Sequence, residues 1–519
     1  MYSMIHTGAL CGVKAYPVCV EVDIASGLPG FSMVGSLGSQ VRESRERVTV
    51  ALKNVGLRLP PSHITVNLSP GDVRKEGTAF DLPIAAGILE SMKYFSGEKV
   101  AHTLFLGEIG LNGEIKSVRG VLPIVREAVR WGMKECIVPA QNAMEGAVIS
   151  GIVVRGISHI CQLLDFLGGA KGSEERERIL PEISVDAGEL FRTSQKGSGE
   201  DFSEVTGQAM AKRAAEISAA GFHNLLLSGP PGAGKSMIAR RIPGILPPLT
   251  PEESLEVTSV ASVAGTLREG RALVTERPFQ SPHHTVSLAA LLGGSFHPRP
   301  GMISLAHRGV LFLDELPEFS RTVLDGLRQP LEERRICLSK AGGAVVYPSN
   351  FMLVCAMNPC PCGYYPDQNR CRCTQTQVRQ YQAGISGPVL DRIDLCVELE
   401  QVDLKGLRER REAESSAMIR ARVTNARKRQ EQRFLGSESR FNSDIRASEI
   451  EKYCHLGRGE RRLMEELYEE LKLSVRAYHR ILRVARTIAD LAGEEQIQRQ
   501  HLLEASMYRP SQEYWKGTL

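Results

Sequence analysis

Leu225 to Arg241 reads LLLSGPPGAGKSMIARR. The apolar run Leu225 to Leu227 has the character of a buried parallel strand, the Gly- and Pro-rich stretch behind it is a loop, and a helical pattern begins at Lys235. Gly229, Gly234, Lys235 and Ser236 match GxxxxGK(S/T), so the candidate cradle comprises Gly229, Pro230, Pro231, Gly232, Ala233, Gly234, Lys235 and Ser236. Its glycines let backbone N–H groups turn inward around a phosphate, and the helix N-terminus adds the positive end of its dipole. Lys235 is then expected to reach the β- and γ-phosphates of a nucleotide, and Ser236 to ligate Mg2+. The rival reading is an ordinary Gly-Pro turn, and the flanking strand and helix argue against it.

Two further apolar runs end in polar groups of matching chemistry. Gly309 to Leu316, GVLFLDEL, reads as a buried strand that delivers two carboxylates to the carboxyl edge of a parallel sheet. There Asp314 is expected to hold the Mg2+ and Glu315 to polarise an attacking water. Phe351 to Met357 leads into Asn358, an amide placed to orient that water. Taken singly, each also reads as a core strand with a polar end. Their order and spacing join them to the phosphate loop.

The chain has 519 residues, enough for two or three domains, and its 42% hydrophobic and 24% charged residues are a normal globular balance. A formal charge of +4 is too small to argue for a nucleic-acid partner, so any such case rests on local patches. No stretch of eighteen uninterrupted apolar residues occurs, and MYSMIHTGALCGVKAYP lacks a basic segment followed by a long apolar one. A cytoplasmic protein without a membrane partner is expected. In that compartment twelve cysteines are not a disulfide framework, which turns attention to metal binding where they cluster.

Residues 1–168 read as an α/β unit. Short apolar runs at Val18 to Ile24, His63 to Leu68, Thr103 to Leu106 and Glu135 to Val138 alternate with helical patterns at Ser39 to Val55, Asp81 to Met92 and Val121 to Trp131. The segments Asn67 to Leu89 and Gly107 to Pro139 resemble the ribosomal-S5 domain 2-like fold of the proteolytic domain of Lon. That family uses a Ser–Lys pair. The matching positions here are Ala79 and an apolar residue near Leu122, so the resemblance implies a non-catalytic relative. A charged, Gly- and Ser-containing stretch, residues 169–201, reads as a linker. A second unit spans residues 202–402, and residues 403–519 read as a helical lid.

Within the second unit, His283, His284 and His297 raise the possibility of a metal site. Adjacent histidines point in different directions, however, and no Cys or carboxylate neighbours them in sequence, which favours polar groups on a functional loop. Glu333 to Asn350, ERRICLSKAGGAVVYPSN, alternates on both sides of Gly342 and Gly343 and reads as a β-hairpin with Lys340 near its tip. Cys360, Cys362, Cys371 and Cys373 are a ligand set for one tetrahedral Zn2+, with free thiols as the alternative. Cys337, Cys355 and Cys396 sit in apolar runs and read as core. Leu404 to Phe434 carries ten Lys or Arg against four Glu, which suits either a solvated face or a DNA contact.

GPPGAGKS, the SPHHT stretch, PRPGMISLAHRGVLFLDELPEF, NPCPCGYY and SGPVLDRIDL, in this order, resemble the ComM/YifB family of magnesium-chelatase-like AAA+ ATPases. The resemblance covers nearly the whole chain. It implies an α/β protein with a Lon-like N-terminal domain, a P-loop AAA+ core and a C-terminal helical lid, using ATP and Mg2+ and active as a homo-oligomeric, hexameric ring. It also implies DNA, single-stranded or branched, as the partner, and branch migration during homologous recombination or integration of transforming DNA as the activity. Arg392, in LDRID, matches the arginine finger that reaches a neighbouring subunit's γ-phosphate, and Arg476, in LSVRAYHR, matches the sensor-2 arginine. A structural ion pair with Asp391 or Asp394 is the rival account of Arg392. The Lys340 hairpin corresponds to one that lines the pore of related helicases and contacts DNA. Two other functions stay open: a chelatase-type subunit driving metal insertion, and an ATPase that remodels a protein partner.

Overall fold

The computed structural model describes residues 2–169, 172–194, 199–294, 299–340, 343–385, 387–401 and 414–509. It is a mixed α/β structure with a helical C-terminal region. Among the described residues, seven strands form an N-terminal sheet in the order Gly30–Val34, His63–Ser69, Lys14–Ala25, Tyr2–Cys11, Thr103–Phe105, Glu135–Pro139, Val153–Ile157. Tyr2–Cys11 pairs antiparallel with Lys14–Ala25 across a tight turn at Gly12 and Val13. Helix Asp81–Ser91 packs on this hairpin, burying Leu82, Ile84, Ile88 and Leu89 against Ile5, Val20 and Val22.

The strands Tyr2–Cys11, Gly30–Val34 and Val153–Ile157 are additional to those expected from the apolar runs. The first escapes a hydrophobic pattern because two of its polar residues face inward. Ser3 and Thr7 are buried, and their hydroxyls donate to the carbonyls of Gly87 and Phe105, each at 2.8 Å. A satisfied hydroxyl costs little to bury, so alternation of hydropathy is not needed there.

The second sheet has five parallel strands among the described residues, in the order Phe279–Gln280, Val310–Leu313, Met352–Met357, Leu225–Ser228, Leu395–Glu398. Its inner strands are buried on both faces, which is why they read as unbroken apolar runs. This strand order decides the site. It sets the carboxyl end of Met352–Met357 between those of Leu225–Ser228 and Val310–Leu313, and so gathers three sequence-distant polar ends on one edge.

Arg335–Lys340 and Gly343–Pro348 form the expected antiparallel hairpin, with Lys340 opposite Gly343. Its base is held by the N-terminal region: Val345 and buried Tyr347 pack with Val263 against Leu10, Cys11 and Val13. Gly12 is required there, because its left-handed backbone (φ +66°) brings the turn so near that a Cβ would lie 2.7 Å from the Val346 carbonyl oxygen. The Gly120 N–H donates to the Ser262 carbonyl at 3.2 Å, which ties helix Val121–Arg130 to helix Pro251–Ala264.

The helices Ser416–Arg433, Arg458–Glu470, Val475–Ala492 and Arg499–Met507 share one apolar cluster with Ala209–Gly221 and Lys235–Ile245. Several basic residues of the Leu404–Phe434 stretch are engaged inside the protein. Arg433 pairs with buried Asp490, Arg422 with Glu216 and Glu414, and Arg427 lies 3.9 Å from the ring centroid of Phe441. For these three the basic excess is structural. Residues 402–413 of that stretch lie outside the described residues.

Candidate nucleotide site

The phosphate loop leaves the Ser228 end of the central strand and turns into helix Lys235–Ile245. Lys235 is buried, and its Nζ donates to the carbonyls of Gly229 at 2.7 Å and Pro230 at 2.9 Å and to Asn358 Oδ1 at 3.0 Å. Burial pulls its ammonium below the ordinary lysine range, and the nearby Asp314 carboxylate opposes that shift. A phosphate arriving here meets a preplaced, poorly hydrated cation.

Ser236 Oγ donates to Asp314 Oδ2 at 2.7 Å. A hydroxyl and a carboxylate so close are the hard oxygen donors that Mg2+ prefers, and the remaining positions of its octahedron suit waters and phosphate oxygens. Glu315 follows in a left-handed conformation (φ 53°), which costs a non-glycine residue about 1–3 kcal/mol. This turn ends the strand and leaves the carboxylate half-exposed, where Oε2 lies 3.3 Å from His284 Nδ1.

From sequence, His284 is legible only as a polar group on a loop. The structure makes it the contact partner of Glu315, with the His283 ring against it at 4.0 Å between centroids and His283 Nδ1 2.9 Å from Thr285 Oγ1. The pair of adjacent histidines is the available signal, but nothing local says that the loop crosses the carboxyl edge of the sheet. His297 lies outside the described residues.

Arg392 and Arg476 are not at this edge. Leu395–Glu398 runs parallel to Leu225–Ser228 with Leu225 opposite Leu395, so Arg392 stands at the end remote from the phosphate loop. Asn224, just before the central strand, donates from Nδ2 to the Arg392 carbonyl at 2.7 Å. Arg392 pairs with Glu332, and Arg476 pairs with Asp391 beside it. With Arg334, Arg480 and Arg483 they line a cavity of ≈ 280 Å³. Burial, then repulsion from Arg328 and Arg476, lowers the Arg392 guanidinium from its ordinary value. Asp394, the other acid suggested for Arg392, lies 3.3 Å from the buried His223.

The four clustered cysteines meet in space. Cys360 Sγ lies 3.3 Å from Cys362 Sγ and 3.8 Å from Cys371 Sγ, Cys362 Sγ lies 3.6 Å from Cys371 Sγ, and all four sulfurs fall within 4.8 Å of one another. Zn–S bonds of about 2.3 Å place the corners of a tetrahedron about 3.8 Å apart, so the thiols fit zinc without rearrangement. Among the described residues no other group of three or more His, Cys, Asp or Glu is gathered in this way. Lys340 closes its strand, and its side chain lies outside the described part of the structure.

The family model of the magnesium chelatase subunit ChlI matches residues 201–407, that of subunit ChlI of Mg-chelatase residues 20–142, and that of the ChlI C-terminal region residues 413–509. Over 517 residues the chain is 42% identical to YifB of Salmonella typhimurium, covering 98% of this chain and 97% of that protein. Over 510 residues it is 41% identical to the competence protein ComM of Haemophilus influenzae, with the same coverage of 98% and 97%. The chain belongs to the magnesium-chelatase-like AAA+ family of YifB and ComM. A shorter match, 27% identical over 173 residues, links 31% of the chain to 30% of Lon protease 2 of Bacillus subtilis. In this family member Leu122 is buried and Ala79 is half-buried, and neither offers a nucleophile or a base. Among the described residues no helix is long and apolar enough to cross a membrane.

Proposed function

We propose that this chain is an ATP-dependent AAA+ motor that assembles as a homo-oligomeric, hexameric ring on single-stranded or branched DNA. Its task is branch migration during homologous recombination or the integration of transforming DNA. The observation that carries the ring is the separation of two groups of residues: Lys235, Ser236, Asp314, Glu315 and Asn358 share one edge of the sheet, and Arg392 and Arg476 occupy the other. A guanidinium at the far edge can stabilise transferring phosphoryl charge only on another subunit. Lys235 and the loop from Gly229 to Ser236 hold ATP, Ser236 and Asp314 hold Mg2+, Glu315 activates water and Asn358 orients it. The four cysteines hold one structural Zn2+. Residues 1–168 are the non-catalytic Lon-like domain, 169–201 the linker, 202–402 the AAA+ core and 403–519 the lid. The DNA assignment draws on the near-full-length likeness to a protein named for competence.

The decisive measurement is ATP hydrolysis with and without forked DNA, together with strand movement on a synthetic junction. The unmutated chain is expected to show DNA-stimulated hydrolysis and migration. Lys340→Ala should weaken binding alike for all sequences and lower the salt dependence by about 0.9 in log–log slope for each phosphate that the lysine no longer neutralises. Its basal hydrolysis should persist, because the hairpin and the phosphate loop are different elements, whereas stimulation and migration should fail. Normal migration by Lys340→Ala would remove the hairpin from the DNA path. The matches to chelatase subunit models favour a second reading, coupling of hydrolysis to metal insertion or protein remodelling. Hydrolysis indifferent to DNA, with no migration by the parent, would favour it.

A further inference from the structure

The cysteine cluster lies against the phosphate loop. Strand Met352–Met357 delivers Asn358 to Lys235 Nζ, and the chain then passes through Pro359, Cys360, Pro361 and Cys362 to Gly363. Gly363 has a left-handed backbone (φ +84°), and a Cβ there would lie 2.4 Å from Pro231 Cδ and 2.7 Å from its Cγ. Pro231 belongs to the phosphate loop. One short segment therefore touches the nucleotide cradle at both ends, with Asn358 on the lysine and Gly363 on the proline, and carries two of the four thiols between.

From Cys360 to Cys373 the backbone forms turns and irregular structure, without helix or strand. Cys360 is fully buried, the Gly363 N–H donates to the Cys360 carbonyl at 2.9 Å, and the Tyr365 N–H points at Cys360 Sγ at 3.4 Å. Gln382 holds the Pro359 carbonyl at 3.2 Å from helix Gln375–Gln382. A tetrahedral ion would cross-link Cys360 and Cys362 to Cys371 and Cys373 and immobilise the face that Pro231 packs on.

We propose that zinc held by Cys360, Cys362, Cys371 and Cys373 is the back wall of the phosphate loop, so that ATP is bound tightly only by the metal-loaded chain. This rests on the zinc assignment above and adds a dependence of the nucleotide site on the metal. A cradle whose supporting shell is loosened by about 1 Å loses of the order of tenfold to a hundredfold in its ligand interactions.

The test uses the full chain and a fluorescent ATP analogue with Mg2+. Zinc is quantified by a chromogenic chelator after thiol modification, and folding is followed by circular dichroism. The parent should carry about one zinc per chain. Chain stripped of zinc and returned to Mg2+ buffer should keep its helical signal and bind the analogue at least about tenfold more weakly, with recovery when zinc is restored. The double variant Cys362→Ser, Cys373→Ser should behave as the stripped chain does. Gly363→Val leaves every thiol in place, so it should keep its zinc and still bind the analogue more weakly. It tests the contact between this segment and Pro231 independently of the metal, and the stripped chain tests the metal even if the double variant fails to fold. Parent-like affinity in the stripped chain, with zinc present in the parent, overturns the coupling and spares the zinc assignment, and parent-like affinity in Gly363→Val removes the contact with Pro231 as its route. A parent that folds without metal overturns both.

Discussion

Lys235→Ala is expected to weaken nucleotide binding by about a hundredfold or more, while Glu315→Gln keeps parental affinity and hydrolyses about a hundredfold to a thousandfold more slowly. The lysine sits buried at the mouth of the loop with its ammonium already gathered by two loop carbonyls and Asn358. Removing it deletes the charge that meets the phosphates and leaves those acceptors without their donor. Glu315 stands past the end of its strand, half-exposed, with its carboxylate turned to His284. Its replacement by the amide keeps size and hydrogen bonding and removes only the basic oxygen. Titration with a labelled nucleotide and single-turnover hydrolysis separate the two. Equal affinity in Lys235→Ala and the parent would end the phosphate-loop assignment, and equal hydrolysis in Glu315→Gln would move the base elsewhere.

The second expectation concerns Arg392. Alone, Arg392→Ala should lose about a thousandfold or more in hydrolysis while binding nucleotide normally. Mixed in equal amounts with Lys235→Ala, it should recover about a quarter of the parental rate, because about one interface in four then pairs an intact loop with an intact finger. The pairing of Arg392 with Glu332 offers a purely structural account of the same residue. The mixture distinguishes them, since a structural arginine cannot be supplied by a neighbour. With assembly verified by light scattering, the absence of recovery at every mixing ratio would leave only the structural account.

Much of this site is legible in the sequence alone, for a physical reason. A parallel strand buried on both faces is an unbroken apolar run, and the residue at which it meets water is its polar end. Leu225–Ser228, Val310–Leu313 and Met352–Met357 all announce themselves in this way, and their ends carry Lys235, Asp314 and Asn358 into one site. The cysteine cluster is equally open to reading, because its spacing is local. Contacts set by topology are hidden. Nothing near His284 points to Glu315, and nothing near Arg392 shows that its strand enters the sheet from the far side. The strand Tyr2–Cys11 is hidden by chemistry, its inward serine and threonine having partners on Gly87 and Phe105 far along the chain.

The seat of the hairpin bears on which parts of this molecule move together. Tyr347 is 1% exposed, wedged with Val345 between Val263 and the turn that carries Leu10, Cys11 and Val13. Withdrawing an aromatic side chain from such a seat costs roughly as much as deleting it, about 3–5 kcal/mol. The root of the hairpin is thus tied to the hairpin of the N-terminal sheet, and it travels only if that sheet travels with it. A displacement at that root is then shared with the strands Tyr2–Cys11 and Lys14–Ala25, so the two sheets are coupled through one aromatic side chain.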